Sequence, residues 1–396
     1  MKAYTIKSSQ KLFICLIAAM VIGLFGWLLV LPFIPNVNHP PEPESYWILA
    51  PFSVIMIILM VYLLCQVYKS KVIMDDEEIV LVSAFSRRTL SFDEIRGYRF
   101  TGKVLLVEPF DRSKKKIKIS SSYEGYDEIE NWFVHSYPNL DREEAEMEER
   151  EILMNPVLGK TEEERAVKLT KARKTAKVLN WISGLIAVWA FFLGDIPAVV
   201  AAILIPLVAI IVVKLSEGLI KITAKRESAF PSVMPAILSS TMGLGMRGMI
   251  FYNLFDIHEF WAPMWCTTLL YLILLISVKA FRFRKKNDIV LSIMLLLFVL
   301  GYSYGSVTCL NCSLDNSVPK KYSVVVLGKR ISKGKSDTYY IKLAPWAGLK
   351  TSDEIDVPRK IYEITSTGKT VDLFLRPGVL KISWFTVGQP FPKSGL

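Results

Sequence analysis

Residues 12–31 read LFICLIAAMVIGLFGWLLVL, twenty consecutive positions without a charge. At about 1.5 Å per residue, a helix of that length crosses a hydrocarbon core of about 30 Å. A helix packed in a soluble core would turn a polar face outward every third or fourth position, and this one has no such face. Residues 46–65, YWILAPFSVIMIILMVYLLC, repeat the pattern. Lys2, Lys7 and Lys11 precede the first stretch, as basic residues precede a secretion signal. Its twenty residues exceed a typical signal core, however, and PFIPNVNHPP follows in place of a small-x-small cleavage site. It reads as a retained anchor.

Working outward, further apolar segments occupy 178–194 (VLNWISGLIAVWAFFLG), 196–213 (IPAVVAAILIPLVAIIVV), 260–278 (FWAPMWCTTLLYLILLISV) and 289–307 (IVLSIMLLLFVLGYSYGSV), making six clear spans. Gly194, Asp195 and Pro197 mark a tight hairpin between two of them. Pro206 is tolerable inside a membrane helix. The 52% hydrophobic content of the 396-residue chain follows from these segments.

Charge supplies the orientation. Loop 32–45 has no Lys or Arg, so it is expected outside the cell and the N-terminus inside. Residues 165–177 place six Lys/Arg before the third span, and Lys214, Lys221, Lys225 and Arg226 follow the fourth. The cluster FRFRKK at 281–286 must also lie inside, so something between 227 and 259 has to cross. The candidate is 231–255, PSVMPAILSSTMGLGMRGMIFYNLF, which carries Arg247 and many small residues. Small residues allow close helix contact, and an intramembrane arginine normally faces the bundle or water. A re-entrant segment is the alternative, but it would put FRFRKK outside.

The fold class expected is therefore an α-helical integral membrane protein of about seven spans in the cell (inner) membrane, N-terminus cytoplasmic and C-terminus extracytoplasmic. It divides into a two-helix hairpin (1–68), a cytoplasmic β module (69–140), a charged helical linker (141–177), a five-helix bundle (178–307) and an extracytoplasmic small β domain (319–396).

The module at 69–140 alternates in short runs, EIVLVSAF, RRTLSF, KVLLVEP and KIKIS, and ends in the helical pattern GYDEIENWFVHSY with Ile129, Trp132 and Phe133 on one face. The hairpin RRTLSFDEIRGYRF and the closing helix 125–137 resemble the pleckstrin-homology-like (PH-like) modules of bacterial membrane proteins. That resemblance implies a small β-barrel or sandwich that binds a protein, peptide or lipid head group. The stretch NPVLGKTEEERAVKLTKARKTAKVLNW is similar to the linker of a family of uncharacterised bacterial multipass proteins, which implies no activity. Within it Thr161 and Glu164 fit a capping box.

Arg87, Arg88, Arg96, Arg99, Lys114, Lys115 and Lys116 could form an anionic-lipid or partner surface on the module. Solvated turns and strand edges explain them more simply. In the C-terminal domain Tyr339, Tyr340, Trp346, Trp384 and Phe385 could line a surface, although in so small a domain aromatics more often form the core.

The net charge of +11 is not a nucleic-acid signal, because +8 of it falls in 319–396 and most of the rest at membrane edges. GKS at 334–336 and GKT at 368–370 lack the glycine that a phosphate loop needs five positions earlier, where Lys329 and Glu363 stand. Three histidines and five cysteines offer no catalytic or metal motif, so neither enzyme activity nor a metal or cofactor is expected. Cys309 and Cys312 (CLNC) could pair as a local disulfide or remain free thiols. The one polar cluster near a span end is Asn253, Asp256, His258 and Glu259, with Arg247 as its intramembrane neighbour. Two functions compete. The first is a non-enzymatic scaffold or sensor that binds membrane lipid, another envelope protein or itself. The second is a transporter or channel using the polar residues of the fifth span.

Overall fold

A strand precedes the first membrane helix, and that order shapes the N-terminal part of the chain. The computed structural model describes residues 1–34, 43–111, 113–225, 227–278, 280, 286–333, 337–349 and 351–388. The chain forms two compact units, residues 1–147 and 148–396. FRFRKK, His39 and the GKS tripeptide fall wholly or largely outside the described residues.

In the first unit, β1 (Lys2–Thr5) leads into α1 (Ser8–Val30), and α2 (Pro43–Lys69) leads into β2 (Lys71–Met74). β1 and β2 pair antiparallel, from Lys2 opposite Met74 to Thr5 opposite Lys71. That pairing requires the α1–α2 hairpin to return the chain to the level at which it left. Many apolar side chains of the hairpin are exposed, including Leu16, Met20, Leu24, Ile55 and Ile58. Such a surface suits lipid and not water.

β3 (Glu78–Val82) and β4 (Arg87–Ser91) complete a four-stranded antiparallel sheet in the order β1-β2-β3-β4. β5 (Ile95–Thr101), β6 (Val104–Pro109) and β7 (Ile117–Ser120) form a second, three-stranded sheet. The alternation of β6 turns Leu105 and Val107 inward, where they meet Ile117 and Ile119 in one core. α3 (Tyr126–Ser136) closes that core with Ile129 and Phe133, both 0% exposed. α4 (Leu140–Met154) follows. The module thus takes residues 2–5 from the segment read as membrane hairpin. A four-residue strand is too short to show an alternation, and only its partners reveal it.

The second unit begins with α5 (Glu162–Phe192), one helix that runs from the charged linker straight into the apolar segment. Thr161 caps it, its Oγ1 accepting from Glu164 N at 3.2 Å. α6 (Ile196–Leu215) follows a short turn and continues through Pro206. α7 (Met234–Phe251), β8 (Asn253–Leu254), α8 (His258–Ser277) and α9 (Lys286–Ser313) come next. Among the described residues six helices are long and apolar enough to cross a membrane: α1, α2, α5, α6, α8 and α9.

α7 is shorter and lies in the middle of the second unit. Ser183 of α5 donates to Ala236 O, Gly243 packs against Ala187, and Arg247 reaches Ala190 and Phe191, so α7 runs parallel to α5. It also runs parallel to α9: Thr241 meets Gly301, and Gly245 meets Gly305. A Cβ on Gly305 would stand 2.5 Å from Gly245 N. Backbones approach that closely only where neither helix has a side chain in the way.

The C-terminal sheet contains β9 (Lys320–Ser332), β10 (Thr338–Leu343), β11 (Asp353–Val357), β12 (Thr370–Arg376) and β13 (Trp384–Val387). A short helix, α10 (Arg359–Ile364), follows β11 where PRKIYEIT reads as helical. The strand order is β11-β10-β9-β12-β13-β8. Its last member comes from the connection between α7 and α8, so the sheet includes two residues of the membrane part. Val326, Ile341, Leu343, Trp346, Leu373 and Phe385 form its core, which is the expected role for two of the five aromatics.

The packing of α7 on α9 is directly testable. Gly305→Ala should lower stability in detergent by about 1–3 kcal/mol, the usual effect of overfilling a packed contact. Gly23→Ala on α1, where nothing lies within 4 Å, should leave the thermal midpoint unchanged or raised. Equal midpoints for the two variants would rule out the close α7–α9 contact.

Candidate functional site

Where α9 leaves the apolar layer the chain turns polar, with Asn311 and Ser313 in its last turn and Asp315 just beyond it. The β12–β13 connection wraps around them. Asn311 Nδ2 donates to Ile382 O at 2.8 Å, and its Oδ1 accepts from Leu380 N at 2.9 Å. Asp315 Oδ2 accepts from Gly378 N at 2.9 Å and from Trp384 Nε1 at 2.8 Å, while Oδ1 accepts from Ser317 N at 2.9 Å. Arg376 Nη1 donates to Asp315 O at 3.0 Å. Gly378 is required here: its φ is +73°, and a Cβ would stand 2.3 Å from Asn311 Oδ1. Trp384 is fully buried and packs edge-on to Tyr252, joining the core of the helical bundle.

Tyr252 connects this latch to Arg247. Its hydroxyl shares a hydrogen bond with Ser313 Oγ at 2.7 Å and accepts from Arg247 Nε at 3.2 Å. Arg247 Nη1 donates to Phe191 O at 2.8 Å and Ala190 O at 3.3 Å. Those carbonyls belong to the last turn of α5, where no further helical N–H is available and the helix dipole is negative. The guanidinium therefore caps α5 from a neighbouring helix.

The sequence grouped Arg247 with Asn253, Asp256, His258 and Glu259, and the structure separates them. Arg247 is 3% exposed, and none of the four is among its partners. Asn253 lies in β8 opposite Phe385. Asp256 Oδ1 accepts from His258 N at 2.8 Å and so serves the start of α8, while the His258 and Glu259 side chains are exposed. The reason is local: α7 stops at Phe251, and the chain leaves it as a strand instead of continuing the helix.

Cys309 and Cys312 are free thiols, so the disulfide alternative is not formed. They lie inside α9, one turn apart, and not after it as the apolar run implied. Cys309 Sγ donates to Leu244 O at 3.5 Å, and Cys312 Sγ accepts from Asn311 Nδ2 at 3.7 Å.

A cleft of about 470 Å³ opens beside the latch. Both edge strands of the C-terminal sheet line it, β8 through Asn253 and Leu254 and β11 through Asp353–Asp356. Its apolar wall is Phe260 and Trp261 of α8, Tyr304 of α9 and Phe385 of β13. The volume is that of an ordinary ligand pocket. Glu354 on its lip is paired with Arg330 at 2.9 Å. Asp353 and Asp356 are exposed and have no basic partner among the described residues.

Three of the seven basic residues grouped as a surface on the N-terminal unit have carboxylate partners. Arg99 is held by Glu108, Asp141 and Glu144, which fastens the start of α4 to β5 and β6, so it is not part of a lipid surface. Lys114 pairs with Glu94 and Lys116 with Glu108, and Arg88 Nη1 donates to Lys116 O at 3.1 Å. Lys114 holds the Glu94 carboxyl below its usual range, assisted by Ser91 N–H. Arg87, Arg96 and Lys115 remain exposed.

Among the described residues no three His, Cys, Asp or Glu side chains are grouped to hold a metal ion. No protein-family model matches the chain, and no curated protein or solved structure resembles it.

Asp315 should make the latch pH-sensitive. Burial acts to raise its carboxyl, but the donors of Ser317, Trp384 and Gly378 outweigh burial and hold it below the ordinary carboxylate range. A depressed folded value means that the contribution is complete above about pH 4, the unfolded value, and is lost as pH falls through the folded one. The melting temperature should therefore fall more steeply between about pH 5 and 3 in the wild type than in Asp315→Asn. Parallel profiles would exclude this role. Separately, Arg247→Leu should lower stability by about 1–3 kcal/mol by leaving α5 carbonyls unpaired. A leucine variant that melts higher would show that the cap contributes nothing.

Proposed function

We propose that this chain is a non-enzymatic scaffold or sensor of the cell membrane that binds its partners through its sheet domains. The observation carrying this reading is the cleft between the two free edges of the C-terminal sheet. Its walls combine strand edge, aromatic side chains and unpaired carboxylates, which suits recognition. The Asn311 and Asp315 latch ties the same sheet to α9, so occupancy of the cleft acts on a membrane helix directly.

Seven crossings belong to this proposal. In support, α7 runs parallel to α5 and α9 within their apolar portions, and its Ala236, Ile237, Ser240 and Leu244 are buried. The cytoplasmic placement of the N-terminal module rests on Lys and Arg distribution alone, as does the extracytoplasmic placement of the C-terminal sheet. The PH-like reading of the module is likewise a proposal, supported by two antiparallel sheets with α3 closing their shared core. The transporter reading has less in its favour. Arg247 is committed to α5 carbonyls and Tyr252, and Asp256 to the start of α8, which leaves neither as a pathway ligand.

The test combines two measurements. A photo-reactive residue introduced at Trp261 should yield a discrete protein adduct in cells, and Asp353→Asn with Asp356→Asn should reduce it. Purified protein in liposomes should show no saturable solute uptake. Saturable uptake together with lipid-only adducts would replace the scaffold reading with the transporter.

A further inference from the structure

A second cleft, of about 370 Å³, lies in the same unit at the other end of the bundle, between α5 and the end of α6. Its floor is apolar, built from Ala172 of α5, Val212 and Leu215 of α6, and Leu219 and Ile220 beyond α6. Its rim is polar. Lys168, Lys171 and Thr175 are spaced three and four residues apart and so share one face of α5.

The level of this cleft matters. The uncharged run of α5 begins at Val178, after Lys177, and that of α6 ends at Val213, before Lys214. The cleft therefore stands where both helices leave the apolar layer, its floor continuous with that layer and its rim in water. The Lys171 ammonium and the Thr175 hydroxyl, both exposed, make no hydrogen bond or ion pair among the described residues. Lys168 lies 3.8 Å from Glu164 and 3.9 Å from Glu217, at the outer limit of an ion pair. Nothing in this arrangement uses Lys171 to hold the fold together.

We propose that this cleft holds one anionic phospholipid. The phosphate sits over Lys171 and Lys168 and accepts from Thr175 Oγ1, and an acyl chain lies along Val212, Leu215 and Ile220. The apolar floor selects a lipid over a free anion, since a soluble phosphate gains nothing from it. The lysines select an anionic over a zwitterionic head group, because a basic residue near a membrane surface attracts net negative charge. This site is independent of the edge-strand cleft and of the scaffold reading.

The test uses the purified full-length protein in neutral detergent with phosphatidylglycerol, phosphatidylcholine or inorganic phosphate added. Thermal stability and native mass spectrometry supply the readouts. Phosphatidylglycerol should raise the melting temperature and remain bound at about one per chain, where phosphatidylcholine and phosphate do neither. Lys168→Gln with Lys171→Gln should weaken phosphatidylglycerol binding at least about tenfold, each basic residue contributing about fivefold. Lys174→Gln, on the same helix but outside the lining of the cleft, should bind as the wild type does. The lipid-free melting temperature of each variant checks that it is folded. Equal stabilisation by phosphatidylcholine would overturn the proposal, and so would a shift from phosphate alone. A loss in Lys174→Gln as large as in the double variant would reduce the site to a diffuse basic belt and overturn it too.

Discussion

A buried backbone carbonyl has no water to turn to, and the end of α5 meets that constraint through one arginine. The Arg247 guanidinium takes the carbonyls of Ala190 and Phe191, which would otherwise be orphaned at the helix terminus. The charge that makes Arg247 costly to bury is what makes it effective there. To reach α5 the side chain must start from a helix lying against it, so the cap presupposes the parallel packing of α7. Gly194, just past α5, leaves room: a Cβ there would stand 1.6 Å from Arg247 Cζ.

That packing rests on the absence of side chains more than on their presence. Gly243 faces Ala187, and Gly245 faces Gly305, so α7 fits between α5 and α9 at backbone distance. Serines fill the α5–α7 interface and bond across it, with Ser183 reaching Ala236 O and the Ser239 and Ser240 hydroxyls. Dispersion, hydrogen bonding and close approach replace the hydrophobic effect, which does not distinguish one apolar helix face from lipid.

From Arg247 the polar contacts pass through Tyr252 and Ser313 to the turn that carries Asp315. There the bundle gives way to the C-terminal sheet. Asp315 is buried yet charged, and this is tolerable because two backbone N–H groups and the Trp384 indole converge on its oxygens. Trp384 shares its surface with the helical core, so the sheet and the bundle have a common apolar contact as well as a polar one. The fold places the edge-strand cleft beside this junction, with walls drawn from both sheet and helices.

What the sequence determined by itself was whatever depends on neighbours along the chain. Six apolar runs predicted six helices, Gly194 to Pro197 predicted their tight hairpin, and Ile129 and Phe133 predicted the buried face of α3. Hydropathy and periodicity are local properties and survive whatever the chain packs against. The burial of Arg247 was legible too, since a charge set among apolar and small residues has to face other parts of the chain, but its partner was not. Nothing local indicates that residue 247 meets residue 191, that Lys2 pairs with Met74, or that Asn311 holds the backbone at 380–382. Asp256 looked like the natural counter-charge because it is near in sequence, yet the break after Phe251 sends it elsewhere. Charged and polar side chains are matched by the three-dimensional path of the chain, which only the tertiary structure decides.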